Sequence, residues 1–249
     1  TMKTLHKADG SKTPVLEAVW EVFRSGGVVG GTSAGAAIMS EPMIGAGNSM
    51  GALKHGVITD YKGDDFPDSD GVLLTHGLGF FPLGMVDQHF NTRARLTRLV
   101  MVMMHEKKTL NLGFGVDENT ALIYNGKLKI LKVAGAAGVT MVNTTDATLS
   151  QVQNLPLIKN VMISYLDEGD VYDISTKKII PAEGKKSTIG NEFYNVSNPS
   201  QTGMFSGSAT NFLNLVTVNL IDNKAVNKVS NLNFTGMDTG FRVTLSKTP

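Results

Sequence analysis

The sequence contains no cysteine and no long apolar run, and it carries almost no net charge. The absence of cysteine from the 249 residues excludes disulfides, thiolate catalysis and zinc–thiolate sites. Apolar runs such as residues 99–104 are far too short to span a bilayer. A formal charge of +1 gives no reason to expect nucleic acid or a membrane surface as a partner. The length suits one large domain, or one domain with an extension.

The first 140 residues alternate between helical and strand patterns. Thr13-Pro14 predicts the start of a helix, 28–29 a short buried strand, and 34–39 a second helix. Further strands are predicted at 72–74, 85–87, 112–116, 121–124 and 127–131, with an Asn125-Gly126 turn between the last two. A helix is predicted from about 91 to 106. This alternation predicts an α/β fold in which helices flank an open sheet.

The pattern changes after about residue 140. Strands are predicted at 162–166, 213–220 and 241–245, separated by turns rich in Asn, Ser, Thr and Gly, and no helix is expected there. We therefore predict a catalytic α/β domain over residues 1–180 and a β-rich C-terminal extension over residues 181–249. Low-complexity disorder is the alternative for residues 191–208.

Ser33 is the strongest candidate for a nucleophile. It lies in Gly31-Thr32-Ser33-Ala34-Gly35, which fits the G-x-S-x-G pattern of a nucleophile elbow. Residues 47–51 fit the same pattern around Ser49, so the pattern alone is weak. An elbow requires an apolar strand before the serine and small residues after it, and only Ser33 has both. We interpret the Ser49 segment as a turn, and a phosphate loop or a plain turn is the alternative for Ser33.

A nucleophilic serine needs a base, and five histidines are available: His6, His55, His76, His89 and His105. His89 follows the strand predicted at 85–87, at the edge where an open α/β sheet places its site. Arg93, Arg95 and Arg98 follow it closely. His76 also follows a predicted strand and is the competing candidate.

Three acids could orient the base. Asp87 precedes His89, and Asp117 and Glu118 follow the strand predicted at 112–116. Consecutive side chains of a strand point to opposite sides, so only one of Asp117 and Glu118 can face the histidine. Spacing alone does not choose among the three.

Three motifs together resemble cyanophycinases, serine peptidases related to aspartyl dipeptidase. They are residues 30–37 around Ser33, residues 87–99 around His89, and residues 115–121 around Glu118. The resemblance covers about residues 13–172 and fades beyond them. It implies a fold like that of class I glutamine amidotransferases, which is an open and mostly parallel sheet carrying a nucleophile elbow.

The resemblance also implies roles for individual residues. Ser33 would be the nucleophile, His89 the general base and Glu118 the orienting acid, and the Ala34 N–H would donate to the oxyanion. The substrate pocket would be shaped by Asp87, Gln88, Arg93, Arg95 and Arg98. The implied substrate is cyanophycin, a poly-aspartate backbone that carries arginine on each side chain. It would be cut into β-Asp-Arg dipeptides through an acyl-enzyme on Ser33, without metal or cofactor.

Several expectations remain open from the sequence. A related Asp-specific serine dipeptidase and a non-catalytic binding protein on the same fold are the alternative functions. The family has strands and a glycine-rich loop ahead of the segment where this chain begins, so we expect an N-terminal segment of the same protein beyond this numbering. A homodimer is an expected state. The extended C-terminal region and the lack of cysteine favour export over a cytoplasmic location.

Overall fold

The computed structural model describes residues 2–7, 9–63, 65–199, 203–205, 211–234 and 240–248. The helices are α1 (Met2–Leu5), α2 (Pro14–Arg24), α3 (Ala34–Ala37), α4 (Ser49–His55), α5 (Leu96–His105) and α6 (Asn211–Val216), with a π-helix at Thr217–Ile221. The strands are β1 (Met43–Gly47), β2 (Val57–Ile58), β3 (Val72–Thr75), β4 (Met85–Gln88), β5 (Leu112–Val116), β6 (Thr120–Asn125), β7 (Ile130–Gly135), β8 (Val139–Asn143), β9 (Thr148–Val152), β10 (Leu155–Lys159), β11 (Met162–Leu166), β12 (Val171–Asp173), β13 (Lys178–Ile180), β14 (Lys228–Phe234) and β15 (Gly240–Ser246).

One four-stranded sheet positions the candidate site. Its strand order is β11-β8-β5-β4, and β4 and β5 run parallel with Asp87 opposite Gly115. Helix α5 lies on one face, where a Cβ at Gly113 would come within 3.0 Å of Leu99 and Met103. The other face carries a separate apolar cluster that includes Phe114. Because β4 and β5 are parallel, their carboxyl ends meet at the same edge of the sheet.

The remaining described strands form mixed and antiparallel sheets. The orders are β1-β3-β2 and β13-β12-β7-β6, with hairpins β9-β10 and β14-β15. Among the described strands, only β2-β3 and β4-β5 pair in parallel. Mixed sheets with flanking helices confirm the α/β prediction in its coarse form, whereas a mostly parallel open sheet is not confirmed.

The strand predicted at 28–29 is wrong for the described structure. Helix α2 starts as predicted, with the Thr13 side chain accepting a hydrogen bond from the Leu16 N–H, and it ends at Arg24. Residues 28–29 do not form a strand, and Val28 is 95% exposed. Two apolar residues form a strand only where a neighbouring strand can satisfy their backbone N–H and C=O groups, and no described strand pairs with residues 28–29. The expected additional strands beside it stay a prediction.

The strand predicted at 213–220 is also wrong, because this segment forms α6 and the π-helix. Its buried members Phe212, Leu215 and Leu220 recur at a helical spacing, which a strand would have split between two faces. They share an apolar cluster with Phe241 of β15, the strand predicted at 241–245, and with residues of α5. The proposed boundary at residue 181 stays a prediction.

Two further bounds differ from the sequence prediction. The Asn125-Gly126 turn is longer than two residues, because Asn125 pairs with Ile130 and the Asn125 side chain accepts from the Leu128 N–H. Helix α5 starts at Leu96 rather than near residue 91, because the preceding residues form the turn that carries the candidate base.

In the part of the chain that the structure describes, none of the helices has the length and apolar character needed to cross a membrane.

Candidate active site

Ser33 lies in a tight turn immediately before α3, with its side chain exposed. Its backbone angles are φ 52° and ψ −121°, a combination that residues other than glycine rarely adopt and that is often found at functional sites. The turn requires glycine at position 31, since a Cβ there would lie 2.0 Å from the carbonyl oxygen of Gly35. The sequence around the serine is therefore small because the chain doubles back closely on itself.

His89 is the histidine that the structure brings to Ser33. It directly follows β4, and it also has a positive φ, of 47°. Its Nε2 lies 3.0 Å from Ser33 Oγ. The competing His76 instead has its Nδ1 2.9 Å from Glu41 Oε1, and the described structure records no contact between His76 and Ser33.

Glu118 is the acid that faces the base. Its Oε1 lies 2.7 Å from His89 Nδ1, and its Oε2 accepts a short hydrogen bond from the Thr92 hydroxyl. Burial raises the pKa of Glu118, but the hydrogen bonds from Thr92 and His89 outweigh burial, so the pKa lies below its ordinary value. The carboxylate is thus the stable form beside the imidazole.

Asp117 points away from the base and into the interior. Its Oδ1 accepts from the Asn91 N–H at 3.0 Å, and its Oδ2 accepts from Asn91 Nδ2 at 2.5 Å and from the Tyr165 hydroxyl at 3.1 Å. Burial raises the pKa of Asp117 above its ordinary value. Two consecutive carboxylates therefore have different partners: Glu118 contacts the His89 ring, and Asp117 contacts Asn91 in the turn after His89.

Asp87 and Arg98 are buried and paired with each other, and their role in shaping the substrate pocket stays a prediction. Asp87 is 0% and Arg98 3% exposed, and they form a two-pronged ion pair with Arg98 Nε and Nη2 at 2.8 and 2.5 Å from the carboxylate. Arg98 Nη1 also donates to the Gly47 carbonyl at 2.5 Å. The pair ties β4 to α5 and β1 just ahead of His89.

The other predicted pocket residues differ in exposure. Arg95 is largely buried, donates from Nη1 to the Gln88 carbonyl at 2.6 Å, and has its pKa lowered to about 10 by burial and by Arg98. Gln88 has a buried Oε1 without a hydrogen-bond partner among the described residues. Arg93 is exposed. The Ala34 N–H is exposed and makes no hydrogen bond within the described structure, which leaves it free to donate to a ligand.

The second G-x-S-x-G match is structural. Ser49 was expected in a turn, but it is the first residue of α4, which the Asn48 side chain caps. The Ser49 hydroxyl is buried and donates to the Ala94 carbonyl at 2.5 Å. Among the described residues, no histidine makes a hydrogen bond with Ser49.

Sequence reasoning missed Thr92, Asn91 and Tyr165. Thr92 and Asn91 lie in a turn where helix was expected, and Tyr165 comes from β11, distant in sequence. Their partners depend on how the chain folds, so no local motif could have identified them. Within the described ranges, no cluster of three or more His, Asp or Glu side chains is arranged to hold a metal ion.

Gly31→Ala tests the closeness of the turn. We expect it to displace the Ser33 hydroxyl and to lower activity by at least about tenfold, since the clash is with backbone that cannot rotate away. Gly30→Ala is the matched control, because a Cβ there meets open space. The rate of Ser33 labelling by a fluorophosphonate measures the effect. Equal rates for the two variants would contradict this account of the turn.

Comparison with known proteins places the chain in a family. Residues 8–131, which contain Ser33, His89 and Glu118, match the model of Peptidase family S51. The chain belongs to this family of serine peptidases.

Curated relatives of the chain carry the name cyanophycinase. The protein of Synechococcus elongatus is 34% identical over 175 residues, which are 68% of this chain and 49% of the relative. That of Trichormus variabilis is 33% identical over 181 residues, 69% of this chain and 54% of the relative. That of Geminocystis herdmanii is 32% identical over 171 residues, 66% of this chain and 56% of the relative. The chain spans about half the length of these relatives.

Proposed function

We propose that this chain is the catalytic part of a serine-type exopeptidase that hydrolyses cyanophycin to β-Asp-Arg dipeptides. The observation that carries the proposal is the hydrogen-bonded series Ser33 Oγ–His89 Nε2–Glu118 Oε1, with distances of 3.0 and 2.7 Å. A serine, a base and an orienting acid in this order are the parts required for acyl transfer. The relatives named cyanophycinase supply the substrate class.

The proposed reaction starts with the transfer of the Ser33 proton to His89 Nε2 as Ser33 Oγ attacks the scissile carbonyl carbon. The oxyanion that forms accepts a hydrogen bond from the Ala34 N–H. His89 then gives the proton to the leaving amine, and the acyl-enzyme on Ser33 is left. A water molecule gives a proton to His89 as it attacks the ester carbon, and His89 then returns the proton to Ser33 Oγ as the acyl group leaves as a carboxylate. Glu118 accepts from His89 Nδ1 throughout and stabilises the imidazolium.

The backbone of Ser33 supports a nucleophile elbow, which is the finer part of the fold prediction. Its positive φ, the close approach of Gly31 to Gly35 and the short helix that follows are three features of such a turn, whereas the strand expected before it at 28–29 is not formed in the described structure. We propose that this elbow is carried on an amidotransferase-like sheet.

An Asp-specific serine dipeptidase is the second candidate function. The observation that favours it is the burial of Arg95 and Arg98, which leaves Arg93 as the exposed member of the arginine series that suggested cyanophycin. Incubation of the full-length protein with cyanophycin and with a panel of Asp-X dipeptides separates the two. We expect mass analysis to find β-Asp-Arg as the product from cyanophycin. Hydrolysis of the dipeptides alone would replace the first proposal by the second.

Thr92→Val tests the positioning of Glu118. Hydrogen bonds to a charged group contribute about 1.5–3 kcal/mol, so we expect kcat to fall by about 10–100-fold. The pKa of Glu118 is lowered by Thr92, so losing that bond raises it. Because the carboxylate is the active form and is lost as pH falls through this pKa, the acid limb of the pH–rate profile should move to higher pH.

Thr92→Ser is the matched control, since it keeps the hydroxyl. We expect it to restore both kcat and the acid limb. An acid limb that stays in place in Thr92→Val would show that Thr92 does not act through Glu118.

A further inference from the structure

A cleft of about 380 Å³ lies between the turn that carries His89 and the C-terminal residues. One wall includes Met50 and Arg93, and the other includes Phe205, Leu232 and Phe234. The Arg93 N–H donates to the His89 carbonyl at 3.1 Å, so the cleft begins one turn from the candidate base. The site described above does not use these C-terminal residues.

The described lining of the cleft carries a positive charge. Arg93 is the one charged side chain among the described residues that line it. Unlike Arg98, which pairs with Asp87, Arg93 forms no ion pair and no side-chain hydrogen bond within the described parts of the chain. Arg93 is exposed and lines the cleft. A carboxylate is the group that such a guanidinium binds best, through two parallel hydrogen bonds.

The opposite wall is aromatic and held in place. The N–H groups of Met204 and Phe205 donate to the side chains of Asn231 and Asn233 at 3.1 and 3.2 Å, which fixes this short segment against β14. Phe234, at the end of β14, is 66% exposed. Exposed aromatic faces suit a cation, and guanidinium groups stack on them.

We propose that this cleft is a second subsite that holds an arginine unit of the substrate polymer away from the bond that is cleaved. The inference rests on the proposed function and specifies how the C-terminal residues contribute to it. In cyanophycin each arginine is attached through its amino group, so it keeps both a carboxylate and a guanidinium. The carboxylate pairs with Arg93, and the guanidinium stacks on the rings of Phe205 and Phe234.

A second subsite makes the protein select polymer over dipeptide. A single β-Asp-Arg unit carries one arginine and occupies one of the two sites at a time. A chain of several repeats occupies the site at Ser33 and the cleft together. Binding through two linked units raises affinity without any change at the reacting bond. Substitutions in the cleft should therefore weaken binding of multi-repeat fragments.

The test uses the full-length protein with Ser33→Ala, so that no turnover occurs, and a soluble cyanophycin fragment of several repeats as the probe. Adding Arg93→Gln should raise the Kd about tenfold, and adding Phe234→Ser should raise it about fivefold. Lys186→Gln and Phe193→Ser are matched controls, because they remove an exposed charge and an exposed ring of the C-terminal region outside the cleft. Neither control should change the Kd.

The outcomes separate this inference from the proposed function. Kd values for Arg93→Gln and Phe234→Ser equal to those of the controls would overturn the subsite, and so would a failure of the fragment to bind the parent protein. If the unsubstituted protein does not hydrolyse cyanophycin, but Arg93→Gln and Phe234→Ser still weaken fragment binding, the subsite stands and the proposed reaction does not.

Discussion

Ser33→Ala is expected to reduce kcat/KM for cyanophycin by about 10⁴-fold or more, because no other described hydroxyl lies beside His89 Nε2. In the proposed mechanism, loss of the Ser33 hydroxyl removes the acyl-enzyme route altogether. The hydroxyl is exposed and, among the described residues, hydrogen-bonds only to His89, so circular dichroism and the melting temperature should stay close to those of the unsubstituted protein.

Ser49→Ala is the matched comparison, since Ser49 has the same G-x-S-x-G surroundings. The Ser49 hydroxyl donates a hydrogen bond to the Ala94 carbonyl, so loss of the hydroxyl should lower the free energy of unfolding by about 1–3 kcal/mol. Turnover at Ser33 should persist. The reverse pattern, with activity lost in Ser49→Ala and kept in Ser33→Ala, would show that the wrong serine was chosen.

Asp87→Ala is expected to give the largest loss of stability, about 3–5 kcal/mol, because it leaves the buried Arg98 guanidinium without its counter-charge. Domains of this kind are stable by about 5–15 kcal/mol in total, so the change removes a large fraction. Chemical denaturation measures it. The double variant Asp87→Ala/Arg98→Met should recover part of the loss, since the Arg98 guanidinium is removed together with its counter-charge and only Arg95, which lies 3.7 Å from Asp87, still loses an anionic partner.

A more exposed cation provides the contrast. Lys185 is exposed and pairs with the exposed Asp167 and with the buried Asp170. Because the Asp170 carboxylate also accepts from the N–H groups of Asp167 and Ala182, Lys185→Met should cost no more than about 1 kcal/mol. Equal losses for Asp87→Ala and Lys185→Met, or additive losses in the double variant, would mean that the Asp87–Arg98 pair does not hold β4 against α5.

The sequence predicted the elements that carry the candidate site, because their patterns are local. The apolar residues of β4, β5 and α5 recur at the spacing of buried strands and of a helix, and the glycines around Ser33 indicate a tight turn. The local pattern was not sufficient to predict the conformation of residues 28–29, where a strand was expected and none forms. Two valines favour a strand only where a neighbouring strand pairs with them, and pairing is a property of the whole fold.

The roles of site residues were harder to predict where they depend on the direction in which a side chain points. The sequence left Asp87, Asp117 and Glu118 as alternatives, and the structure distinguishes them by where each carboxylate points: to Arg98, to Asn91 and to His89. The arginine series after His89 suggested one pocket, but its members face different surroundings. Charge in a sequence does not distinguish a buried counter-ion from a ligand-binding group.

The central claim is that Ser33 is a nucleophile activated by His89 and Glu118. Labelling of the full-length protein with a fluorophosphonate, followed by digestion and mass mapping of the modified peptide, tests it most directly. We predict one label per chain, on Ser33, and a labelling rate that falls at least about 10³-fold in His89→Ala. A label on another residue, or a labelling rate in His89→Ala equal to that of the unsubstituted protein, would contradict the claim.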